Sequence, residues 1–345
     1  MTQYLLLDRR SPVLSGPALA LIFMTFLSAS VFTQVNVPAT KSQWFKGNTH
    51  AHTLKSDGDS TPEEVTKWYR DNGYNFLFIT DHETITPVDE LNKTFSKEGE
   101  FAVFTGQEIT DRLDGKPYHV NGLGVSKVTM PNRGKTVVEN LQLNIDGVNS
   151  TGGIAQINHP NFGWALNADH ISQVKNIRLM EIFNGHPLVN NLGGGNSPSV
   201  EAIWDAILST GKLIYGVASD DVHTVRKLGD SKQPTPGHGW IMVRANELTQ
   251  KAIIDALGRG DFYASTGVEL EDFSADARTV SIAVRPKRWS KYRILFIGKN
   301  GVVLHESLEP SAKYLIKGTE GYVRVKVIES NGKLAWTQPV MIPKK

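Results

Sequence analysis

At 345 residues with no cysteine, the chain can hold one large domain and a small appendage, and it excludes disulfides, thiol catalysis and thiolate zinc sites. Apolar residues make up 40% and charged residues 21%, a composition that fits a soluble enzyme and neither a disordered chain nor a membrane bundle. The net charge of +2 offers no basic footprint, so no nucleic-acid partner is expected.

The N-terminus reads as an export signal: Arg9 and Arg10 precede the apolar run 18–27, and Ser28-Ala29-Ser30 provides small residues for cleavage. The run is about half the ~20 residues that span a bilayer. A cleaved signal over residues 1–30 is therefore expected, giving a secreted or periplasmic protein without stable membrane insertion, with an uncleaved anchor as the alternative. Residues 31–43 read as a linker.

From residue 44 onward, short apolar runs alternate with helical patterns. Pro62 with Glu63 and Glu64 opens a helix that Gly73 closes. A strand over 76–80 ends in Asp81-His82, and a helix is expected over 87–96. The run 101–104 leads to Gln107-Glu108, and a strand-like piece over 118–125 carries His119 near its start. A helix over 137–148 precedes the strand 154–157, which ends in Asn158-His159. The strand 177–183 is followed by Gly185-His186 and a glycine-rich loop over 188–198. A helix over 200–209 precedes the strand 213–218, which ends in Asp220-Asp221-Val222-His223. A strand over 240–243 and a helix over 248–258 complete the series. This alternation argues for parallel β/α units with their chemistry at the C-terminal strand ends.

Past residue 275 the texture changes to period-two alternation, with Asn300-Gly301 and Asn331-Gly332 placed as hairpin turns. The domain reading is thus 44–270 for the β/α domain and 271–345 for a small, β-sandwich-like module. Packing against the barrel or capping it is the expected role of that module, with attachment to substrate or surface as the alternative.

Nine of the ten histidines lie between residues 50 and 238. His50 and His52 are two apart, so an extended strand end directs both imidazoles to one side, and the turn Ser56-Asp57-Gly58 returns a carboxylate toward them. Six histidines with Asp57, Glu108 and Asp221 at successive strand ends suit a metal site, because carboxylates gathered without a cation would repel one another.

Taken in order over roughly residues 44–267, His50-Ala51-His52, Ser56-Asp57-Gly58, Thr80-Asp81-His82, Gly106-Gln107-Glu108, His119, Asn158-His159-Pro160 and Asp221-Val222-His223 resemble the polymerase-and-histidinol-phosphatase (PHP) family of metal-dependent hydrolases. The segment 260–267 resembles a closing segment of its stand-alone members, among which the exported carbaryl-hydrolase-like branch is also similar. The resemblance implies a distorted (β/α)7 barrel holding two to three divalent ions, zinc, manganese or iron. It places the first ion on His50, His52, Glu108 and Asp221, the second on Glu108, His119 and His159, and the third on Asp57, His82 and His223. Asp220 competes with Asp221 as a ligand, and the Asp-x-His spacing favours Asp221.

Glu108, Asp221 and His223 are the expected catalytic groups, serving attack by a metal-bridging hydroxide on a small phosphomonoester or phosphodiester. Arg133, Lys135, Arg226 and His186 are candidates for binding the phosphate, and His238 is either a proton donor or a polar loop residue. Asp81 and Asn158 either orient the imidazoles or bond the strand ends. A carboxylester, carbamate or amide hydrolase using the same centre is the alternative, with Phe162-Gly163-Trp164 as an apolar wall. A metal-loaded binding protein without turnover is the second alternative.

Overall fold

The computed structural model describes residues 42–343, so the expected signal and most of the linker lie outside the described residues. Strand β1 (Gln43–Asn48) is followed by α1 (Pro62–Asp71), whose start is set by a capping box. The Glu64 N–H donates to the Thr61 hydroxyl, and the Thr61 N–H donates back to the Glu64 carboxylate. Next come β2 (Phe76–Ile79), α2 (Asp89–Phe95), β3 (Ala102–Leu113) and β4 (Lys116–Leu123). The series continues with α3 (Val137–Asn149), β5 (Ile154–Ile157), α4 (Ala168–Gln173) and β6 (Leu179–Asn184). It ends with α5 (Val200–Ser209), β7 (Tyr215–Ser219), β8 (Trp240–Ala245), α6 (Gln250–Arg259) and β9 (Phe262–Ser265).

The fold class is α/β, with a sheet running β9-β8-β1-β2-β3-β4-β5-β6-β7. Its pairs β1–β2, β2–β3, β5–β6 and β6–β7 are parallel. The sheet is mixed rather than uniformly parallel, because β4 runs antiparallel to both β3 and β5, and β8 to both β1 and β9. For β4 the reason is local: Asp114 and Gly115, at φ 51° and 79°, make a tight Asp-Gly hairpin that returns β3 directly into β4 with no helix between.

All nine strands contribute to one apolar cluster, including Phe45, Phe76, Phe104, Ile154, Leu179 and Tyr215, and α6 adds Ile253, Ala256 and Leu257. The sheet must therefore curl around this cluster. In the parallel strands these residues come mainly from the beginning of each strand, so they form a floor and leave the C-terminal strand ends as a mouth.

The tail comprises β10 (Leu270–Ala275), β11 (Thr279–Val284), β12 (Tyr292–Gly298), β13 (Val302–Ser307), β14 (Ser311–Leu315), β15 (Tyr322–Glu329), β16 (Leu334–Thr337) and β17 (Val340–Met341). Strands β10, β11 and β14 form a three-stranded sheet. It shares a core with β12, β15 and β16 through Val280, Ile282, Tyr314, Phe296 and Val325, as in a sandwich. Strand β16 pairs with β9, so the second sheet of this sandwich is continuous with the barrel sheet, and the described residues fall in one compact unit.

The tail also covers the end of the barrel sheet. Strand β7 is the last in the path, and Gln338 bonds its Gly216 twice. Its amide nitrogen donates to the Gly216 carbonyl and its amide oxygen accepts from the Gly216 N–H, both at 2.8 Å. Gln338→Leu should orphan both buried backbone groups. The expected loss is about 1–3 kcal/mol for each, read as a lowered urea midpoint at unchanged slope. Among the described residues, no helix is long and apolar enough to cross a membrane.

Candidate metal centre

The side chains predicted as ligands converge at the mouth. His50 Nε2 lies 3.1 Å from Glu108 Oε2, 3.1 Å from His52 Nε2 and 3.2 Å from Asp221 Oδ1. His52 Nε2 lies 3.0 Å from Glu108 Oε2 and 3.2 Å from Asp221 Oδ1. These are five of the six edges of a four-atom cage. A tetrahedral cation with bonds of ~2.0 Å has ligand–ligand edges of roughly 3.3 Å, so the donor set fits a first-row divalent ion.

Glu108 presents its other oxygen to a second group, with Oε1 3.0 Å from His119 Nδ1 and 3.5 Å from His159 Nε2. A third group forms around Asp57. Its Oδ2 is 3.4 Å from both His82 Nε2 and His223 Nε2, and its Oδ1 is 3.5 Å from His52 Nδ1. The sets close enough to share an ion are His50, His52, Glu108 and Asp221; Glu108, His119 and His159; and His52, Asp57 and His82. His52 thus approaches the third group as well as the first, which the sequence reading did not anticipate. Asp57 can reach back because Gly58 permits the turn: a Cβ on Gly58 would meet the His52 backbone at 2.9 Å.

Electrostatics favour added positive charge. Burial opposes ionisation of Glu108, yet His50, His119 and His82 hold its carboxyl well below the usual range, and His50, His52 and His223 do the same for Asp221. Burial likewise opposes charge on His52, but Asp221 and Glu108 push it up to about 10. His50 and His159 are raised against burial by the same carboxylates. His50, His52 and His159 draw protons to balance buried anions, and cations can provide that balance instead.

Two residues of the cluster occupy left-handed backbone, His159 at φ 22° and Asp221 at φ 53°. Such conformations cost about 1–3 kcal/mol each and persist where the surroundings hold them. The His159 N–H donates to Glu181 Oε2 at 2.8 Å, and the Asp221 N–H to the His50 carbonyl at 3.1 Å.

Asp220, the competing ligand, faces away from the cage. It accepts from the backbone N–H groups of Gly237, His238 and Gly239 and from the Tyr69 hydroxyl. Asp81 holds the turn after β1 through Thr53, Ser56 and Thr86, and reaches an imidazole, that of His52, only through the Ser56 hydroxyl. Asn158 does serve a ligand, donating from Nδ2 to Glu108 Oε1 at 2.6 Å.

The substrate-binding candidates divide. His186 lines the metal cleft, whereas Arg133, Lys135, Arg226 and His238 are not among its lining residues. Arg226 is drawn instead to Glu64, 2.6 Å away, and His238 Nε2 lies 3.0 Å from the Thr235 hydroxyl.

The sequence reading missed Glu181 on β6. Its carboxylate accepts from His50 Nδ1 at 2.8 Å, Ser219 Oγ at 2.5 Å and Asn184 Nδ2 at 2.8 Å, besides the His159 N–H. Since a carboxylate here only accepts, one His50 proton sits on Nδ1, and a cation that displaced the other would meet the Nε2 lone pair at the cage. An acid in the middle of the apolar run 177–183 was the available signal. Glu181→Gln should weaken metal affinity about 10–100-fold, read by titration with a metal chelator as competitor, while the fold is retained.

No family model matches the chain. It is similar to a crystal structure from Bacteroides vulgatus, described as a two-domain protein containing a predicted PHP-like metal-dependent phosphoesterase. The TM-score is 0.50 at 16% identity, covering 87% of this chain and 96% of that one. A lesion-specific endonuclease from Pyrococcus furiosus aligns at TM-score 0.39 and 12% identity, over 63% of this chain and 56% of that one. By sequence, a 5'-3' exoribonuclease from Haemophilus influenzae is 34% identical over 82 residues, which span 24% of this chain and only 30% of that relative. The chain therefore has a PHP-like fold. With it goes a buried His/Glu/Asp cluster of the kind that holds divalent metal.

Proposed function

We propose that this chain is a metal-dependent hydrolase, and more specifically a phosphoesterase acting on a small phosphomonoester or phosphodiester at the mouth of the barrel. One observation carries the reading: Glu108 joins two adjoining ligand sets through its two oxygens, the arrangement that a bridged pair of cations requires. Two or three divalent ions are proposed, held by the nine residues named from the sequence. Bound cations would acidify a water and offset charge on the leaving oxygen.

The chain's own groups do the rest. Glu181 fixes the His50 ring, and Asn158 holds the Glu108 carboxylate. His223 Nδ1 donates to the Asp221 carbonyl at 3.0 Å, which leaves its Nε2 directed at Asp57. The cleft lined by Asp57, Glu108, Asp221 and His223 has a volume of about 200 Å³. That is below the ~300–1,000 Å³ of sites that engulf a drug-sized ligand, which supports a small reacting group. Export is part of the proposal and rests on residues 1–30 alone. The expectation against nucleic acid finds no support in the comparisons, so a short oligonucleotide belongs in the substrate set.

The test is hydrolysis by metal-reconstituted protein of p-nitrophenyl phosphate, bis-p-nitrophenyl phosphate, p-nitrophenyl acetate and an oligonucleotide, beside a Glu108→Gln control. Turnover of a phosphate ester that disappears in the control supports the reading. Turnover of acetate alone replaces it with a carbon-centred ester hydrolase. No turnover with metal bound replaces it with the non-catalytic binding protein.

A further inference from the structure

The walls of the metal cleft are asymmetric. Their lining divides by chemistry into the ligand cluster and a group made of Phe162, His186 and Leu188. The Phe162 ring stands edge-on to His159 at 5.2 Å between centroids, and 6.0 Å from His119, so it borders the second ligand group directly. Leu188 remains 64% exposed although it lines the cleft, an apolar side chain with room for a partner.

These two residues come from different loops, one after β5 and one after β6, and Asn161 ties the loops together. Its Nδ2 donates to the carbonyls of Asn190 at 3.1 Å and Pro198 at 2.9 Å. The wall is thus a built feature. His186 supplies its polar point: its Nδ1 accepts from the Leu188 N–H at 3.2 Å, so in the neutral ring the proton lies on Nε2. Among the described residues, no Lys or Arg lines this cleft, and Arg226 is engaged by Glu64.

We infer that the cleft selects a phosphodiester over a phosphomonoester: a singly charged ester whose second, small apolar substituent seats against Phe162 and Leu188. This rests on the phosphoesterase reading and narrows it. A dianionic monoester of a polar alcohol would gain nothing from the apolar wall, and its second charge would be met by the proposed ions alone, with no cationic side chain beside them. A diester carries one charge and brings a second substituent that can cover the wall. The reaction is plain hydrolysis. A water oxygen forms the new bond to phosphorus, the bond to the leaving oxygen breaks, and that oxygen takes up the proton the water gives up.

The experiment compares kcat/KM for bis-p-nitrophenyl phosphate, p-nitrophenyl phosphate and glycerol 2-phosphate in the metal-loaded full chain, in Phe162→Ala and in Leu188→Arg. The unmodified chain should favour the diester over p-nitrophenyl phosphate at least about tenfold, and Phe162→Ala should cost the diester about tenfold, mainly through KM. Leu188→Arg, at an exposed position that does not threaten folding, should narrow the ratio by raising monoester turnover. Inhibition by diphenyl phosphate should weaken in Phe162→Ala, and inhibition by inorganic phosphate should not. A monoester preference in the unmodified chain, or a ratio that neither variant moves, overturns this inference and leaves the phosphoesterase reading standing. Absence of phosphate-ester turnover altogether, or turnover indifferent to Glu108→Gln, overturns both.

Discussion

Replacing Glu108 by Gln is expected to remove hydrolysis while leaving the fold intact. Glutamine keeps the shape of the side chain and loses its charge, and the position is 1% exposed, so water cannot substitute for the lost anion. Oε2 of Glu108 lies within 3.1 Å of His50 and His52, and Oε1 meets His119 and Asn158. One amide group cannot serve all of these: its NH2 would face imidazole nitrogens whose lone pairs are needed for metal. Removing a partner outside the ligand set typically costs a metal site about 10–100-fold. Loss of a group shared between two sets should exceed that range, so a fall in kcat/KM of more than ~100-fold is expected with unchanged circular dichroism. A variant that keeps turnover within threefold of the unmodified chain, a bound well inside that ~100-fold, would place the chemistry elsewhere.

The second large effect concerns the joint between barrel and tail. Arg324 on β15 is buried, and it forks onto Asp205 of α5 with Nε–Oδ1 at 2.7 Å and Nη2–Oδ2 at 2.6 Å. Nη2 also reaches Glu201 at 2.9 Å, the Tyr322 hydroxyl donates to Asp205 at 2.7 Å, and the guanidinium lies 4.8 Å over the Trp204 ring. Burial opposes the charge on Arg324, but the two carboxylates raise its pKa above the ordinary value and keep it protonated. Arg324→Met leaves the buried Asp205 without its cation, and breaking such a pair from one side costs about 3–5 kcal/mol. Urea unfolding of the variant should show that loss. Combining it with Asp205→Leu should restore much of it, because the buried charge is then gone too. The consequence reaches function, since α5 leads directly into β7 and Asp221.

Much of the cluster was legible in the sequence because His82, Glu108, His159, Asp221 and His223 follow apolar runs, and strand ends are where a β/α sheet presents side chains to its mouth. The helix limits were legible for the same local reasons: Thr61 and Glu64 form a box, and Ser199 caps α5 by accepting the Ala202 N–H. What escaped was non-local. Glu181 looks like any strand residue until β1 and β5 bring His50 and the His159 backbone to it. Arg226 reads as a phosphate clamp until Glu64, 162 residues away, claims it. Gln338 carries no motif, and its value comes from the sheet-end edge of β7 that it meets. The Asp114-Gly115 turn was readable, and overlooking it turned a hairpin into two separate β/α strands.

Metal content of the purified chain tests the central claim most directly. After reconstitution with manganese or zinc and exhaustive dialysis, elemental analysis should find two to three ions per chain, with fewer retained by Glu108→Gln and a higher melting temperature in the loaded protein than in the chelated one. A chain that retains less than one ion, and melts at the same temperature with and without divalent metal, would contradict the account.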